Sequence, residues 1–167
     1  TASRSKEDGS IKHFPLDAFN WIIQINLVGT FRCITRSAVG MLTLDPIGAD
    51  GERGAIVNTA SVAAVDGQVG QAAYSASKAG VINLAKTAAQ QFTTAGVRVN
   101  AICPGLTETG MTKPTFDYAR EKDVMHKVGQ LNPLKRAGQP EELANVALFL
   151  ASDQASYVNG QAIAVDG

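Results

Sequence analysis

The sequence predicts an α/β fold in which a parallel sheet is covered by helices on both faces. Three observations predict it. The runs Ala55–Asn58, Val97–Cys103 and Ala162–Asp166 are short, apolar and bounded by turn residues, as strands are. Longer stretches with apolar residues at three- and four-residue steps lie before and between them and read as helices. Strands therefore alternate with helices along the chain, the order of a parallel sheet with helical crossovers.

Bulk composition narrows the function classes. A chain of 167 residues, 45% hydrophobic and 18% charged, is long enough and apolar enough for one domain with a real core, here expected over 1–167. Lys+Arg and Asp+Glu both total 15, so no charge excess calls for nucleic acid or an anionic membrane. No apolar run is long enough to span a bilayer, and no leader pattern stands at the start. Cys33 and Cys103 form no disulfide framework and no metal-ligand spacing, which points to a reduced, cytoplasmic protein. His13 and His126 lack partners at ligand spacing, so no metal site is expected. Trp21 falls in a helical pattern and reads as core or interface.

In chain order, residues 1–13 are polar and read as a loop or frayed end. Asp17 is the expected N-cap of a long helix whose apolar face runs through Phe19, Ile22, Ile23, Leu27, Phe31, Ile34, Ala38 and Met41. Residues 45–54 form a turn-rich loop. Its glycines at 48, 51 and 54 do not make a phosphate loop, because the segment leads into a strand instead of opening a helix. After the strand Ala55–Asn58 and a loop over 62–71, a second helix is expected from about Gln71 to Thr94, rich in Ala, Ser and Gly and ended by Gly96. The strand Val97–Cys103 stops at Pro104-Gly105. A short helix from Phe116 to Val128 follows, then one opened by Pro140 with Glu141 and Glu142 in its first turn, then the strand Ala162–Asp166.

Within the second helix, Tyr74 and Lys78 stand four residues apart, about one turn, and so share a face. A fixed cation beside a phenol favours the phenolate and makes the phenol a better proton donor near neutrality. Such a pair suits an enzyme that exchanges a proton with a substrate oxygen. Ser61 lies just past one strand and Pro104-Gly105 just past the next, the strand ends beyond which open parallel sheets bind ligands.

Taken together, Asn26 in Gln24-Ile-Asn-Leu-Val-Gly-Thr-Phe31, Ser61 in Ile56-Val-Asn-Thr-Ala-Ser61, Tyr74-Ser-Ala-Ser-Lys78 and Pro104-Gly-Leu-Thr-Glu-Thr109 resemble the short-chain dehydrogenase/reductase family. The tail Ser156–Gln161 with Val165-Asp-Gly167 is similar to the family's last strand and its approach. The resemblance runs over essentially the whole chain and implies a Rossmann-like parallel sheet. It implies an oxidoreductase that interconverts a secondary alcohol and a ketone by hydride transfer with NAD or NADP. Implied catalytic residues are Asn26, Ser61, Tyr74 and Lys78: Tyr74 as general acid/base, Lys78 stabilising the phenolate and reaching the cofactor ribose, Ser61 holding the substrate oxygen, and Asn26 anchoring a water-linked proton route to Lys78. Implied cofactor contacts are Tyr74, Lys78, Pro104, Gly105, Thr107 and Thr109.

The family also opens with a strand, a Gly-rich turn and a helix that hold the pyrophosphate, and these N-terminal cofactor-binding strands and loop are not found in this chain. The expectation is therefore the C-terminal part of a longer dehydrogenase domain, with the choice between NAD and NADP carried elsewhere. The stretch Ser61–Tyr74 is similar to that of 3-hydroxyacyl-CoA and hydroxysteroid dehydrogenases, which turns Gln68 and Gln71 toward substrate, whereas Gly129–Lys135 is closer to alcohol dehydrogenases and 3-oxoacyl reductases. Residues 106–130 are expected to form a lid over the substrate. Family members pair their two long helices across a two-fold axis, implying a homodimer or homotetramer. The rival reading is a non-enzymatic relative that serves as a binding or scaffold subunit.

Overall fold

A computed structural model describes residues 2–4, 11–47 and 50–167. Three parallel strands, β3 (Gly54–Thr59), β4 (Val97–Pro104) and β5 (Ala162–Val165), form the main sheet in the order β3-β4-β5. Gly54 pairs with Val97 and Thr59 with Ile102, while Ala101 pairs with Ala162 and Pro104 with Val165. Among the described residues the outer edge of β3 is unpaired. Ahead of the sheet, β1 (Ala2–Arg4) and β2 (Ile11–His13) make a small antiparallel pair. This corrects the expected loop or frayed end at residues 2–4 and 11–13, whose polar composition carries no strand pattern; the rest of 1–13 lies outside the described residues.

The first long helix is confirmed, in three parts: α1 (Leu16–Ile23), a π-helical stretch over Gln24–Val28, and α2 (Gly29–Leu42). Its N-cap is Pro15, not Asp17, which instead lies in the first turn where a carboxylate favours the positive end of the helix dipole. Of the expected apolar face, Ile34 and Ala38 are buried, but Phe31 stays 49% exposed and Trp21 67%, so the tryptophan is not core. The second long helix is α3 (Ala72–Phe92), closed by one 3-10 turn and by Gly96 in the left-handed region at φ 75°. The expected helix over 116–128 is shorter and earlier. It is α4 (Lys113–Glu121) followed by a separate turn at Met125–Lys127, because Asp123 takes a positive φ of 54° and breaks the helix. Helix α5 (Pro140–Ala151) has proline at its first position and Glu142 accepting the Gln139 N–H at 2.8 Å.

Strand β4 separates two apolar layers. Val97, Val99, Ala101 and Cys103 pack with Val81, Ala85, Ala88 and Ala89 of α3 and Ile34 of α2. Ile102 packs on the other face with Leu150 of α5, Ala155 and Ile163. Alternate side chains thus point to opposite sides, and both sides are covered. The alanines of α3 let that helix lie close against the sheet.

Polar groups on the α5 side of β4 are tightly paired. Arg98 forms a two-pronged ion pair with Glu52, both bonds at 3.0 Å, and donates to the Leu150 and Ser152 carbonyls at 2.9 and 3.1 Å. Asn100 donates to the Val158 carbonyl at 2.8 Å and accepts the Gln161 N–H at 2.9 Å, aligning the approach to β5. Among the described residues, no helix is long and apolar enough to cross a membrane. Arg98→Ala strands the Glu52 carboxylate beside the sheet and leaves two carbonyls unpaired; it is expected to lower the unfolding free energy by roughly 3 kcal/mol, read from urea denaturation.

Candidate functional site

The carboxyl ends of β3 and β4 and the N-terminal end of α3 enclose a cleft of ≈ 510 Å³ whose lining includes Ser61, Gln68, Gln71, Tyr74, Pro104 and Gly105. Each is positioned by local structure. Ser61 follows β3 in an extended conformation and caps the 3-10 turn Val62–Ala64, its Oγ accepting the Ala63 N–H at 3.2 Å. That bond uses an acceptor position and leaves the O–H to donate. Gln68 and Gln71 lie in the exposed loop leading to α3, where the Gln71 N–H donates to the Gln68 carbonyl at 3.0 Å.

Tyr74 and Lys78 occupy the first two turns of α3, with Lys78 Nζ 5.6 Å from the centre of the phenol ring. The ammonium donates to the Thr59 carbonyl at the end of β3, at 2.8 Å. This contact moors the lysine to the sheet and holds its charge beside the phenol. Partial burial lowers the Lys78 pKa from its ordinary 10.5. Asn26 lies in the π-helical stretch and reaches α3, its Nδ2 donating to Ser77 Oγ at 3.1 Å. Its bond is thus to Ser77, one residue from Lys78, and not to the lysine. Its carbonyl accepts from Thr30 Oγ1 at 2.7 Å.

At the exit of β4, the Gly105 N–H donates to the Val165 carbonyl at 3.0 Å, extending the ladder by one residue. A Cβ at Gly105 would lie 2.7 Å from Cβ of Asp166, so only glycine allows this approach. Thr107 and Thr109 do not line the cleft. Thr107 is buried, with Oγ1 3.3 Å from the Gly105 carbonyl and its backbone bridged to Gly138; Thr109 is exposed. The hydroxyl that ties this turn together is Thr112, which donates to the Thr107 carbonyl at 2.6 Å, accepts the Thr109 N–H at 2.9 Å, and itself lines the cleft.

Sequence reasoning held Leu106, Met111 and Thr112 only as part of the segment 106–130 and singled out none of them, and it missed Phe14 and Ile22 in the lining. Nothing in their spacing marks them; they arrive because α1 and the chain after Pro104 close over the strand ends. A second cavity of ≈ 800 Å³ adjoins the first and shares Val62, Gln68, Gly105 and Leu106 with it. Of the segment 106–130, Leu106, Met111 and Thr112 line the cleft, and residues between Thr115 and Gln130 line the second cavity. Among the described residues, no three His, Cys, Asp or Glu side chains converge as metal ligands.

The arrangement offers a phenol backed by a moored cation, a serine hydroxyl in the same cleft, and a glycine turn opposite. A phenol and a serine hydroxyl can both donate a hydrogen bond, and a phenol beside a cation can exchange a proton. Lys78 and Asn26 do not themselves line the cleft; they stand behind Tyr74, on α3 and on the π-helical stretch.

Comparison with known proteins finds relatives along the whole chain. A family model described as enoyl-(acyl carrier protein) reductase matches residues 1–167. The chain is 44% identical over 146 residues to a 3-oxoacyl-[acyl-carrier-protein] reductase of Thermotoga maritima, covering 87% of this chain and 54% of that protein. It superposes on a 3-hydroxyacyl-CoA dehydrogenase type-2 from Mycobacterium avium with a TM-score of 0.83 at 38% identity, over 96% of this chain and 59% of the other. An Agrobacterium tumefaciens structure with bound NADP matches at a TM-score of 0.77 and 32% identity, over 100% of this chain and 63% of the other. The chain therefore spans between 54% and 63% of the length of these relatives.

Because burial disfavours its charge, Lys78 titrates below 10.5 in the folded protein. The folded state then binds fewer protons than the unfolded one just below that pH, and stability rises with pH through this window. An NMR titration of labelled lysine side chains is expected to show one midpoint below the others, which disappears in Lys78→Met.

Proposed function

The chain belongs to the short-chain dehydrogenase/reductase family, and we propose that the protein it forms interconverts a secondary alcohol and a ketone with NAD or NADP. One observation carries this reading: Ser61, Tyr74 and Pro104-Gly105 line a single cleft, with the Lys78 ammonium moored behind the phenol. The cofactor, when bound, supplies or accepts the hydride. The chain's own residues do the rest. Ser61 donates to the substrate oxygen and fixes its position. Tyr74 gives that oxygen a proton during reduction and removes it during oxidation. Lys78 favours the phenolate through its charge, and its remaining N–H donors serve the cofactor ribose. Asn26 acts from behind the lysine, through α3.

Pro104 and Gly105 face the nicotinamide end in this reading; Thr107 and Thr109, which do not line the cleft, act there by shaping the turn together with Thr112. Gln68 and Gln71 contact the substrate from the exposed loop. A 3-oxoacyl or 3-hydroxyacyl thioester is the substrate class favoured, supported by the names of the relatives and by the wide adjoining cavity bordered by Val124, Val128 and Leu131. The apolar groove between the first long helix and α3, with Leu27, Phe31 and Leu84, supports pairing of two copies through these helices. Light scattering on the full protein is expected to give a dimer or tetramer mass; a monomer counts against the pairing.

The decisive experiment follows nicotinamide absorbance at turnover of a short 3-oxoacyl thioester by the full-length protein. Tyr74→Phe is expected to reduce kcat by at least about 10²-fold with the circular dichroism spectrum and cofactor affinity unchanged. Undiminished turnover by that variant would sink the proposal.

A further inference from the structure

We infer that Ser77 is a positioning residue that locks the π-helical stretch to α3 and thereby fixes Asn26 and Tyr74 relative to one another. The inference rests on the catalytic reading of Tyr74 given above. Ser77 never faces the cleft: its residue is 0% exposed and it is absent from the cleft lining. Its hydroxyl nevertheless joins two of the expected catalytic residues. It donates to the Tyr74 carbonyl at 2.7 Å and accepts from Asn26 Nδ2 at 3.1 Å. The first bond runs within α3; the second crosses between elements 51 residues apart.

The neighbouring contact shows how close this seam is. Leu27 follows Asn26, and Gly80 stands three residues beyond Ser77. A Cβ at Gly80 would lie 2.6 Å from Leu27 Cδ1, so the Leu27 side chain packs directly onto the α3 backbone at position 80. Successive residues 26 and 27 thus both touch α3, one by a hydrogen bond and the other by packing. The π-helical stretch places an irregular turn at this point, a feature that recurs at functional sites in helices.

A serine in mid-helix usually bonds its own preceding turn and has no further role. Here the same hydroxyl also holds a partner outside the helix. Removing it leaves the Asn26 amide without its acceptor in a closely packed seam, and α3 is then held there by apolar contacts alone. Apolar contacts are non-directional and set rotation about the helix axis poorly. The Tyr74 phenol projects from the same helix one turn earlier, and a small rotation displaces it from the substrate oxygen. Misplacement of about 1 Å can cost on the order of 10²-fold in rate.

The test uses full-length Ser77→Ala, Asn26→Ala and the double variant, with Tyr74→Phe run beside them. Ser77→Ala is expected to lower kcat about tenfold with KM little changed, and the double variant is expected to lose no more than the worse single one. The side-chain amide signals of Asn26, followed by NMR in ¹⁵N-labelled protein, are expected to shift and to exchange faster in Ser77→Ala. Thermal melts establish that each variant is folded. Wild-type kcat in Ser77→Ala, or losses that multiply in the double variant, overturn the inference. So does an Asn26 amide signal unmoved by Ser77→Ala, a readout that needs no turnover. If Tyr74→Phe keeps full turnover, the alcohol–ketone reading falls by itself, and the amide signal still decides whether the lock exists.

Discussion

Everything in this structure hangs on β4. All seven residues from Val97 to Cys103 are buried, which is possible only if the strand is hydrogen-bonded on both edges and covered on both faces. Val97 and Val99 are 1% and 0% exposed, and burial of a side chain of that size contributes roughly 1.5–3 kcal/mol. The polar residues that alternate with them survive burial because each is saturated by specific partners. Arg98 meets Glu52 and two carbonyls, and Asn100 meets the Val158 carbonyl and the Gln161 N–H. These bonds fix where α5 ends and where β5 begins, so the polar side chains of the strand dictate its surroundings as much as the apolar ones do.

The site inherits its geometry from this strand. Because β3 and β5 run parallel to β4, all three deliver their carboxyl ends to one edge. Ser61, Pro104 and Gly105 come to that edge as chain continuations and need no further support. Tyr74 and Lys78 must be brought there from a helix, and they are tied in from two directions. The lysine is moored to the Thr59 carbonyl, and α3 is joined through Ser77 to the π-helical stretch. The candidate site thus stands on the sheet edge plus two hydrogen-bonded moorings, with the chain after Pro104 closing over it.

Strands, long helices and the Tyr74–Lys78 pair were legible in the sequence because each depends on short-range periodicity. A strand alternates sides every residue and a helix returns every ~3.6, so neighbours in the chain carry the signal. The errors fell where long-range contacts rule. The antiparallel β1–β2 pair has no periodic signature, α4 starts before its apolar pattern and ends at Asp123, and Thr112 joins the cleft through bonds to Thr107 and Thr109. Trp21, read from its helical pattern as core or interface, is not core: it stays 67% exposed on α1.

By itself the sequence determined the alternation of the three parallel strands with the long helices and the residue types of the motifs, since side-chain type and local spacing carry those. Only the tertiary structure decided which groups meet. It joined Asn26 to Ser77, moored Lys78 to the end of β3, and withdrew Thr107 into the interior while presenting Thr112 to the cleft. The physical reason is that a hydrogen bond selects its partner by distance and direction, and both are set by how helices and strands pack across tens of residues of intervening chain.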